Sequence, residues 1–282
     1  MILPGSGSQA LAAELAGELG EELAPVEFER FPDGEVMARI GDVSPERAVV
    51  VASTATSDAH LELLQLQDAA REAGADEIVT VLPYMGYARQ DKVFNPGEPI
   101  SSRAIARAIS ANTDRVITVN PHEEAVCEFF APVAEAVDAA SVLAEPLPET
   151  LTEPLFLAPD DGAIELAETV CDAYGEGETD YFEKKRLSGS EVEISPSDAN
   201  VTGRDVVVVD DIIATGSTMS ESIAVLNDRD AARVFVTCVH PLLAQNAVTK
   251  LARAGVETVI GTDTLERPVS QVSVAKVVAE KL

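Results

Sequence analysis

Short runs of Val, Ile and Leu alternate along this chain with longer stretches rich in Ala, Glu and Leu. The short runs are almost wholly apolar, as in parallel strands buried on both faces, and the long stretches repeat apolar residues with helical spacing. The pattern predicts strands at 48–52, 78–82, 115–119, 155–158, 206–209, 234–239 and 256–260. It predicts helices at 8–19, 60–73, 101–111, 163–173, 218–229 and 246–254. The expected fold class is therefore α/β, with mainly parallel sheets flanked by helices.

The chain is expected to consist of two similar halves. Residues 146–154 hold three prolines and no periodic pattern, which indicates a linker between residues 1–145 and residues 146–282. Residues 47–54 align with residues 204–211, and a polar loop, a helix and another strand follow each of them. Two copies of one α/β unit explain this similarity better than chance. Acids end the strand in the second copy only, so we expect the chemistry there.

Composition narrows the class of protein further. The net charge is −29, yet 46% of the residues are hydrophobic, which excludes a disordered acidic chain. Such a surface repels nucleic acids and anionic membranes. Six lysines against 49 carboxylates are typical of a cytoplasmic protein from a high-salt organism, where salt screens the self-repulsion. Three widely spaced cysteines favour neither disulfides nor a zinc site, and we expect no signal peptide and no membrane span.

The most informative stretch follows the strand at 206–209. Asp210 and Asp211 stand at its carboxyl end, where open α/β sheets bind ligands. A small-residue turn comes next, and a helix is predicted to begin near position 217 or 218. Free N–H groups at a helix start, together with nearby hydroxyls, form a phosphate-binding cradle. The residues of this cradle are Ala214, Thr215, Gly216, Ser217 and Thr218. The alternative is an N-capped helix preceded by ordinary loop acids.

Residues 206–218 resemble the phosphoribosyl-pyrophosphate signature shared by type I phosphoribosyltransferases and ribose-phosphate pyrophosphokinases. The resemblance implies two tandem type I phosphoribosyltransferase-like domains. It also implies that residues 214–218 bind the phosphate of ribose 5-phosphate, and that Asp210, with Asp211 beside it, contacts the sugar hydroxyls. This stretch alone does not separate the two enzyme classes.

Two motifs of the first half favour the pyrophosphokinases. Residues 31–35 resemble the nucleotide-binding element of that family, which implies that Phe31, Asp33, Gly34 and Glu35 contact ATP. A Pro-Asp-Gly turn between two strands is the structural alternative, and the same turn could carry the site. Residues 87–92 are similar to the second ATP element of the family. That similarity assigns to ATP Arg89, Gln90, Asp91 and Lys92. A solvated charged loop is the alternative there.

Two further positions resemble the metal-phosphate residues of the family. His122 follows the strand at 115–119, although Asn120 stands where the family commonly has an acid, which puts an acidic metal contact at that position in doubt. Asp160 aligns with an acid that lies near magnesium and ribose in the family, and Asp161 replaces a small residue. The expected metal is Mg²⁺, which takes carboxylate and phosphate oxygens and keeps several waters. A loop histidine and an N-cap carboxylate are the structural alternatives.

Residues 183–186 resemble the catalytic flexible loop of the pyrophosphokinases. The resemblance implies that Lys184 and Arg186 contact the transferring phosphates, and that Arg186 also faces ribose 5-phosphate. A chance basic pair on a helix or hairpin is the alternative. On so acidic a chain, however, basic groups gathered in two short motifs favour two anion sites.

These elements occur in the order of the pyrophosphokinase family. They imply a transferase that moves the pyrophosphoryl group of Mg·ATP to the 1-hydroxyl of ribose 5-phosphate, giving 5-phosphoribosyl 1-pyrophosphate and AMP for nucleotide biosynthesis. The implied partners are ATP, ribose 5-phosphate and further copies of the chain in a homo-oligomer, with neither nucleic acid nor membrane. A type I phosphoribosyltransferase and a non-catalytic regulatory paralogue remain alternatives. Ala214 replaces an acid that is frequent in the family, which leaves the general base open.

Overall fold

The computed structural model describes residues 1–186, 192–196 and 199–282, although the side chains of residues 184–186 and 192–195 lie outside this description. The chain forms two compact units. Unit 1 comprises residues 1–138, 263–266 and 273–282, and unit 2 comprises residues 139–262 and 267–272. None of the helices in the described ranges combines the length and the hydropathy needed to cross a bilayer.

Unit 1 is built on a five-stranded parallel sheet and a separate two-stranded hairpin. Its strands are β1 (Ile2–Pro4), β2 (Val26–Arg30), β3 (Val36–Ile40), β4 (Arg47–Val51), β5 (Glu77–Leu82), β6 (Arg115–Val119) and β7 (Val133–Val137). Its α-helices are α1 (Gln9–Leu19), α2 (Ser57–Glu72), α3 (Ser101–Ile109) and α7 (Ala275–Ala279). The sheet has the order β1-β4-β5-β6-β7, and β2 and β3 pair antiparallel outside it.

Unit 2 is built on one seven-stranded sheet. Its strands are β8 (Leu155–Ala158), β9 (Glu178–Arg186), β10 (Val192–Pro196), β11 (Asp205–Ile212), β12 (Arg233–His240), β13 (Thr258–Thr262) and β14 (Ser270–Val272). Its α-helices are α4 (Ile164–Tyr174), α5 (Ser217–Asp228) and α6 (Ala247–Ala254). The order is β10-β9-β8-β11-β12-β13-β14, and the edge pair of β9 and β10 is antiparallel in an otherwise parallel sheet.

The two sheets repeat one arrangement. Strands β1-β4-β5-β6-β7 of unit 1 correspond in order to strands β8-β11-β12-β13-β14 of unit 2. The internal repeat in the sequence pairs β4 with β11, which occupy the same place in their sheets. In both strands the valines are fully buried, so apolar side chains cover both faces as the continuous apolar runs predict. The expected α/β fold with mainly parallel sheets is confirmed.

Strand β11 is longer than the pattern predicts. The apolar run ends at Val209, but the hydrogen-bonded register with β12 continues through Asp210, which pairs with Cys238, and Ile212, which pairs with His240. Asp210 and Asp211 therefore lie within the strand, at its carboxyl end. Because the strand backbone fixes these residues, their carboxylates have a rigid support.

Candidate active site

The turn between β11 and α5 directs its carbonyl groups to one side. The carbonyl of Ile213 accepts from the N–H of Leu243 at 2.8 Å, and that of Ala214 accepts from the N–H of Ala244 at 2.8 Å. Within the described part of the chain, the backbone N–H groups of residues 214–218 donate to no protein acceptor. Open N–H groups at a helix start and in the turn before it suit an anion.

Gly216 explains why this helix start stays open. It occupies the N-cap of α5 with φ +68°, a left-handed conformation that glycine adopts without strain, and it has no side chain to cap the helix. A Cβ at this position would lie 3.4 Å from Cα and Cβ of Ala247. The hydroxyls of Thr215 and Ser217 lie 3.4 Å apart on the exposed side of the same turn.

The corresponding helix of unit 1 has its first turn capped. Thr56 is the N-cap of α2, and its hydroxyl accepts from the N–H of Ala59 at 3.2 Å. In the preceding loop, the N–H of Ser53 donates to Ser8 Oγ at 2.9 Å, and the N–H of Thr54 donates to the carbonyl of Tyr84 at 2.9 Å. The start of α2 thus has a side-chain cap, whereas the N-cap of α5 has none.

Two carboxylates stand beside the open turn. Asp210 Oδ1 accepts from the N–H of Asp211 at 2.9 Å, and Asp211 Oδ1 accepts from the N–H of Ile212 at 2.7 Å. Burial, followed by the negative charges of Asp211 and Asp160, raises the pKa of Asp210 well above the ordinary value for an aspartate. Such a carboxylate holds a proton more readily than an ordinary aspartate, and perturbed pKa values of this kind are frequent at functional sites.

Asp160 lies in the loop that follows β8, a strand of the same sheet. It follows β8, the neighbour of β11, and the short 3-10 helix 161–163 begins directly after it. Its side chain is exposed, and its charge is one of the causes of the raised pKa of Asp210. In the described residues, no group of three or more His, Cys, Asp or Glu side chains is arranged to hold a metal ion by itself.

In unit 1, residues 31–35 form the turn between β2 and β3. The N–H of Phe31 donates to the carbonyl of Glu35 at 2.8 Å, and the N–H of Glu35 donates to Asp33 Oδ1 at 3.2 Å. Gly34 has φ +96°, and the side chains of Asp33 and Glu35 are exposed. The predicted turn is therefore present, and it presents both carboxylates to solvent.

The second nucleotide motif lies in the loop after β5. Gln90 anchors this loop, because its N–H donates to the carbonyl of Tyr87 at 3.0 Å and its side-chain amide lies 3.3 Å from Glu98 Oε2. Arg89 and Lys92 are exposed, and Lys92 Nζ lies 5.6 Å from the ring centroid of Phe94. The two cations are thus available to an anionic ligand, whereas the amide of Gln90 already has protein partners.

His122 lies just beyond the carboxyl end of β6 and is exposed. Asn120, at the position where an acid is frequent, has φ +33° and donates through Nδ2 to Asp138 Oδ1 at 2.7 Å. Its N–H also donates to the carbonyl of Val137 at 2.9 Å. Asn120 therefore joins the ends of β6 and β7, which is a structural role.

Comparison with known proteins decides between the two enzyme classes. A family model described as the N-terminal domain of ribose phosphate pyrophosphokinase matches residues 1–112, and a phosphoribosyl transferase domain model matches residues 135–272. A ribose-phosphate pyrophosphokinase of Halobacterium salinarum is 62% identical over the full length of both chains. The chain belongs to the ribose-phosphate pyrophosphokinase family.

Other relatives of this family agree. A ribose-phosphate pyrophosphokinase of Methanosarcina mazei is 48% identical over 100% of this chain and 94% of the relative. The crystal structure of phosphoribosylpyrophosphate synthetase from Mycobacterium smegmatis superposes with a TM-score of 0.84 at 27% identity, covering 100% of this chain and 96% of the other. A relative from Halobacterium also fits the acidic composition, which is that of a halophilic protein.

The pyrophosphokinase resemblance assigns catalysis to Lys184 and Arg186. Their backbone lies in β9, where residues 184 and 186 pair with residues 194 and 192 of β10, although a loop was expected from the sequence. Their side chains lie outside the described part of the chain. The ladder between β9 and β10 accounts for the extended backbone.

One cation at the turn between β11 and α5 was not predicted from the sequence. Lys250, on α6, donates through Nζ to the carbonyl of Thr215 at 3.2 Å and to Ser217 Oγ at 2.9 Å. It lies 35 positions from Thr215 and belongs to none of the motifs. The scarcity of lysine on this chain was the only signal that could have drawn attention to it.

Proposed function

We propose that this chain is an active ribose-phosphate diphosphokinase. It transfers the pyrophosphoryl group of ATP to ribose 5-phosphate, and the products are 5-phosphoribosyl 1-pyrophosphate and AMP. The observation that carries the proposal is the open donor surface of residues 214–218 beside Asp210 and Asp211, in a chain of the pyrophosphokinase family. Residues 1–145 are assigned to ATP, and residues 146–282 to the sugar phosphate.

The 5-phosphate is assigned to the turn at 214–218. Its oxygens accept hydrogen bonds from the open N–H groups, from the hydroxyls of Thr215 and Ser217, and from Thr218 at the first turn of α5. The partial positive charge at the helix start favours a dianion there. The ribose hydroxyls then donate to Asp210 and Asp211, which are acceptors when ionised.

The reaction is an in-line displacement at the β-phosphorus. The 1-hydroxyl oxygen of ribose forms a bond to the β-phosphorus, the bond from that phosphorus to the bridging α–β oxygen breaks, and AMP leaves with the bonding electrons. The proton of the 1-hydroxyl passes to a base. Burial raises the pKa of Asp210, which favours proton uptake, and Asp210 is our candidate acceptor.

ATP is assigned to the two motifs of unit 1. Phe31 stacks on the adenine, and the exposed carboxylates of Asp33 and Glu35 accept from its amino group or from ordered water. Arg89 and Lys92 neutralise the triphosphate. Gln90 and Asp91 belong to the same proposed site, although the contacts of Gln90 within its loop favour a supporting role.

Lys184 and Arg186 are assigned to the transferring phosphates, where they stabilise the charge that develops in the transition state. Arg186 is also assigned to ribose 5-phosphate. If Lys184 and Arg186 contact the phosphates of ATP only when ribose 5-phosphate is also bound, ATP alone is protected from hydrolysis.

Magnesium is the proposed metal. The negative charges of Asp160 and Asp211 oppose the ionisation of Asp210, and a divalent cation nearby would relieve that repulsion, so the acids of unit 2 fit such an ion. Mg²⁺ commonly uses one or two carboxylates, substrate phosphates and waters, which fits an ion delivered with the nucleotide. The resemblance assigns His122 in unit 1 and Asp160 in unit 2 to Mg²⁺, each taken within its own unit, and the chemistry that the metal would supply is neutralisation of phosphate charge.

The proposed setting is cytoplasmic, and the proposed assembly is a homo-oligomer. The setting rests on the acidic, lysine-poor composition, and the assembly rests on the resemblance to the family. The acidic surface does not favour nucleic acid or membrane as partners.

Release of AMP tests this function directly. The purified chain in concentrated potassium chloride is supplied with Mg·ATP, with and without ribose 5-phosphate, and phosphorus NMR follows the products. We expect AMP and 5-phosphoribosyl 1-pyrophosphate in equal amounts, and only with both substrates. A phosphoribosyltransferase would instead consume 5-phosphoribosyl 1-pyrophosphate with a base, and a silent paralogue would form neither product. Either result contradicts the proposal.

A further inference from the structure

The phosphate turn is held from one side by a single segment. The carbonyls of residues 213 and 214 accept from the backbone N–H groups of Leu243 and Ala244, and the next carbonyl, that of Thr215, accepts from Lys250 Nζ at 3.2 Å. In a planar trans peptide the C=O and the following N–H point in opposite directions. Each carbonyl held towards residues 243–250 therefore turns an N–H towards the opposite side, where the anion is expected. Lys250 orients the third of these peptides.

Lys250 also orients a hydroxyl. Its Nζ lies 2.9 Å from Ser217 Oγ, and an ammonium group only donates, so this oxygen is the acceptor. The hydroxyl hydrogen of Ser217 is thereby directed to another acceptor. Thr215 Oγ1, at 3.4 Å, is the nearest one that the structure provides, and a phosphate oxygen on the open side would be a better one.

The charge of Lys250 adds to this effect. The chain carries 49 carboxylates and six lysines, and Asp210 and Asp211 lie four and three positions before residue 214, where the turn begins. A dianion approaching residues 214–218 therefore meets repulsion that the partial charge of one helix start offsets only in part. An ammonium group fixed within hydrogen-bond distance of the turn supplies the missing positive charge.

We infer that Lys250 is a positioning residue of the sugar-phosphate site, which holds the Thr215–Gly216 peptide and the Ser217 hydroxyl in the orientation that binds a phosphate monoester dianion. This inference rests on the proposed function, because the 5-phosphate is the group that the turn is assigned to bind. It extends that function to a residue on α6 that the sequence motifs do not include.

The test compares three variants with the wild-type chain. Lys250→Met removes the donor and the charge, Lys250→Arg keeps both, and Arg253→Met makes the same change of charge on an exposed position of α6. We expect Lys250→Met to raise KM for ribose 5-phosphate by roughly 10- to 100-fold, since a hydrogen bond to a charged group is lost. KM for ATP and kcat should change by less than about 3-fold. Lys250→Arg should restore most of the binding, and Arg253→Met should resemble the wild type.

A second readout does not need turnover. Calorimetric titration with ribose 5-phosphate should show the same loss of affinity in Lys250→Met, while titration with ATP should not. Circular dichroism checks that each variant is folded, and Lys250→Gln, which keeps one donor without the charge, replaces Lys250→Met if that variant is not.

The outcomes separate the two proposals. If the wild type forms AMP and Lys250→Met binds ribose 5-phosphate as well as Arg253→Met does, Lys250 has no role in the phosphate site and the inference is overturned. If the wild type forms no AMP but its binding of ribose 5-phosphate depends on Lys250, the proposed reaction fails while the inference stands. A loss of affinity for ATP equal to that for ribose 5-phosphate would indicate a general structural effect and would also overturn it.

Discussion

Asp263 gives a stability prediction whose size follows from the structure. Its side chain is 8% exposed, and Oδ1 accepts from the N–H of Val274 at 2.9 Å, directly before α7. Burial, opposed by hydrogen bonds from Ser273 and Val274 and reinforced by the charge of Glu14, raises the pKa of Asp263 to about 6. Asp263→Asn keeps an acceptor oxygen for Val274 and removes the ionisation.

The sign follows from proton linkage. The pKa of the native carboxyl exceeds that of the unfolded chain, which is about 4, so the native state binds this proton more tightly. The stability that the protonated group contributes is complete below about pH 4 and is lost as the pH rises through about 6. A difference of about two pKa units corresponds to about 2–3 kcal/mol. The free energy of unfolding of the Asp263→Asn variant should therefore exceed that of the wild type by about this amount at pH 7.5. At pH 4 the two values should be nearly equal.

Urea denaturation at both pH values, in concentrated potassium chloride, measures this difference. Asp42→Asn is the matched control, because Asp42 is an exposed carboxyl of the same unit and the substitution removes the same charge. Subtracting the control removes the general benefit of lowering the net charge of −29. Equal stabilisation by the two substitutions at both pH values would refute the linkage argument.

Three further predictions concern the proposed active site. Asp210→Asn should lower kcat by at least about 100-fold through loss of the base, and should raise Tm at neutral pH because it removes a buried charge; a lower Tm would contradict the raised pKa. Gly216→Ala should lower the free energy of unfolding by about 1–2 kcal/mol, since φ is +68° there, and should weaken the binding of ribose 5-phosphate. Gly7→Ala is the control, because a Cβ there meets open space, and it should change neither quantity. Lys184→Ala should lower kcat by about 10²–10³-fold and leave Tm unchanged. If turnover is unchanged in this variant, or if Lys185→Ala lowers kcat equally, Lys184 has no specific role in the mechanism.

The main elements of the fold could be predicted because burial determines them. Helix α5 was predicted at 218–229 and observed at Ser217–Asp228, and strand β4 was predicted at 48–52 and observed at Arg47–Val51. Both elements place apolar residues against a buried sheet, and this periodicity is visible in the sequence.

Elements with little apolar content could not be predicted in this way. Strand β9 contains several charged residues and lies towards the edge of its sheet, so its apolar pattern is interrupted although Phe182 is buried, and its pairing with β8 and β10 has no local signature. Strand β11 continues past its apolar run for the same reason, since its ladder with β12 includes the acids. The packing of residues 273–282 with unit 1 likewise has no local signature.

The same contrast applies to the candidate site, where consecutive residues could be predicted and residues brought together only by packing could not. The phosphate turn was predicted because consecutive residues build it, from Asp210 to Thr218. Lys250 was not, because only the packing of α6 beside α5 brings it to the turn. All of the predicted site residues, those of the turn included, stay predictions, and for Lys184 and Arg186 the side chains lie outside the described part of the chain.

The central claim is that the turn after β11 binds the phosphate of the sugar substrate. Crystals grown with ribose 5-phosphate and a non-hydrolysable ATP analogue test it most directly. The account predicts phosphate oxygens within hydrogen-bond distance of the backbone N–H groups of residues 214–218, with Ser217 Oγ between the phosphate and Lys250 Nζ. A ribose 5-phosphate bound elsewhere while this turn holds no anion would contradict it.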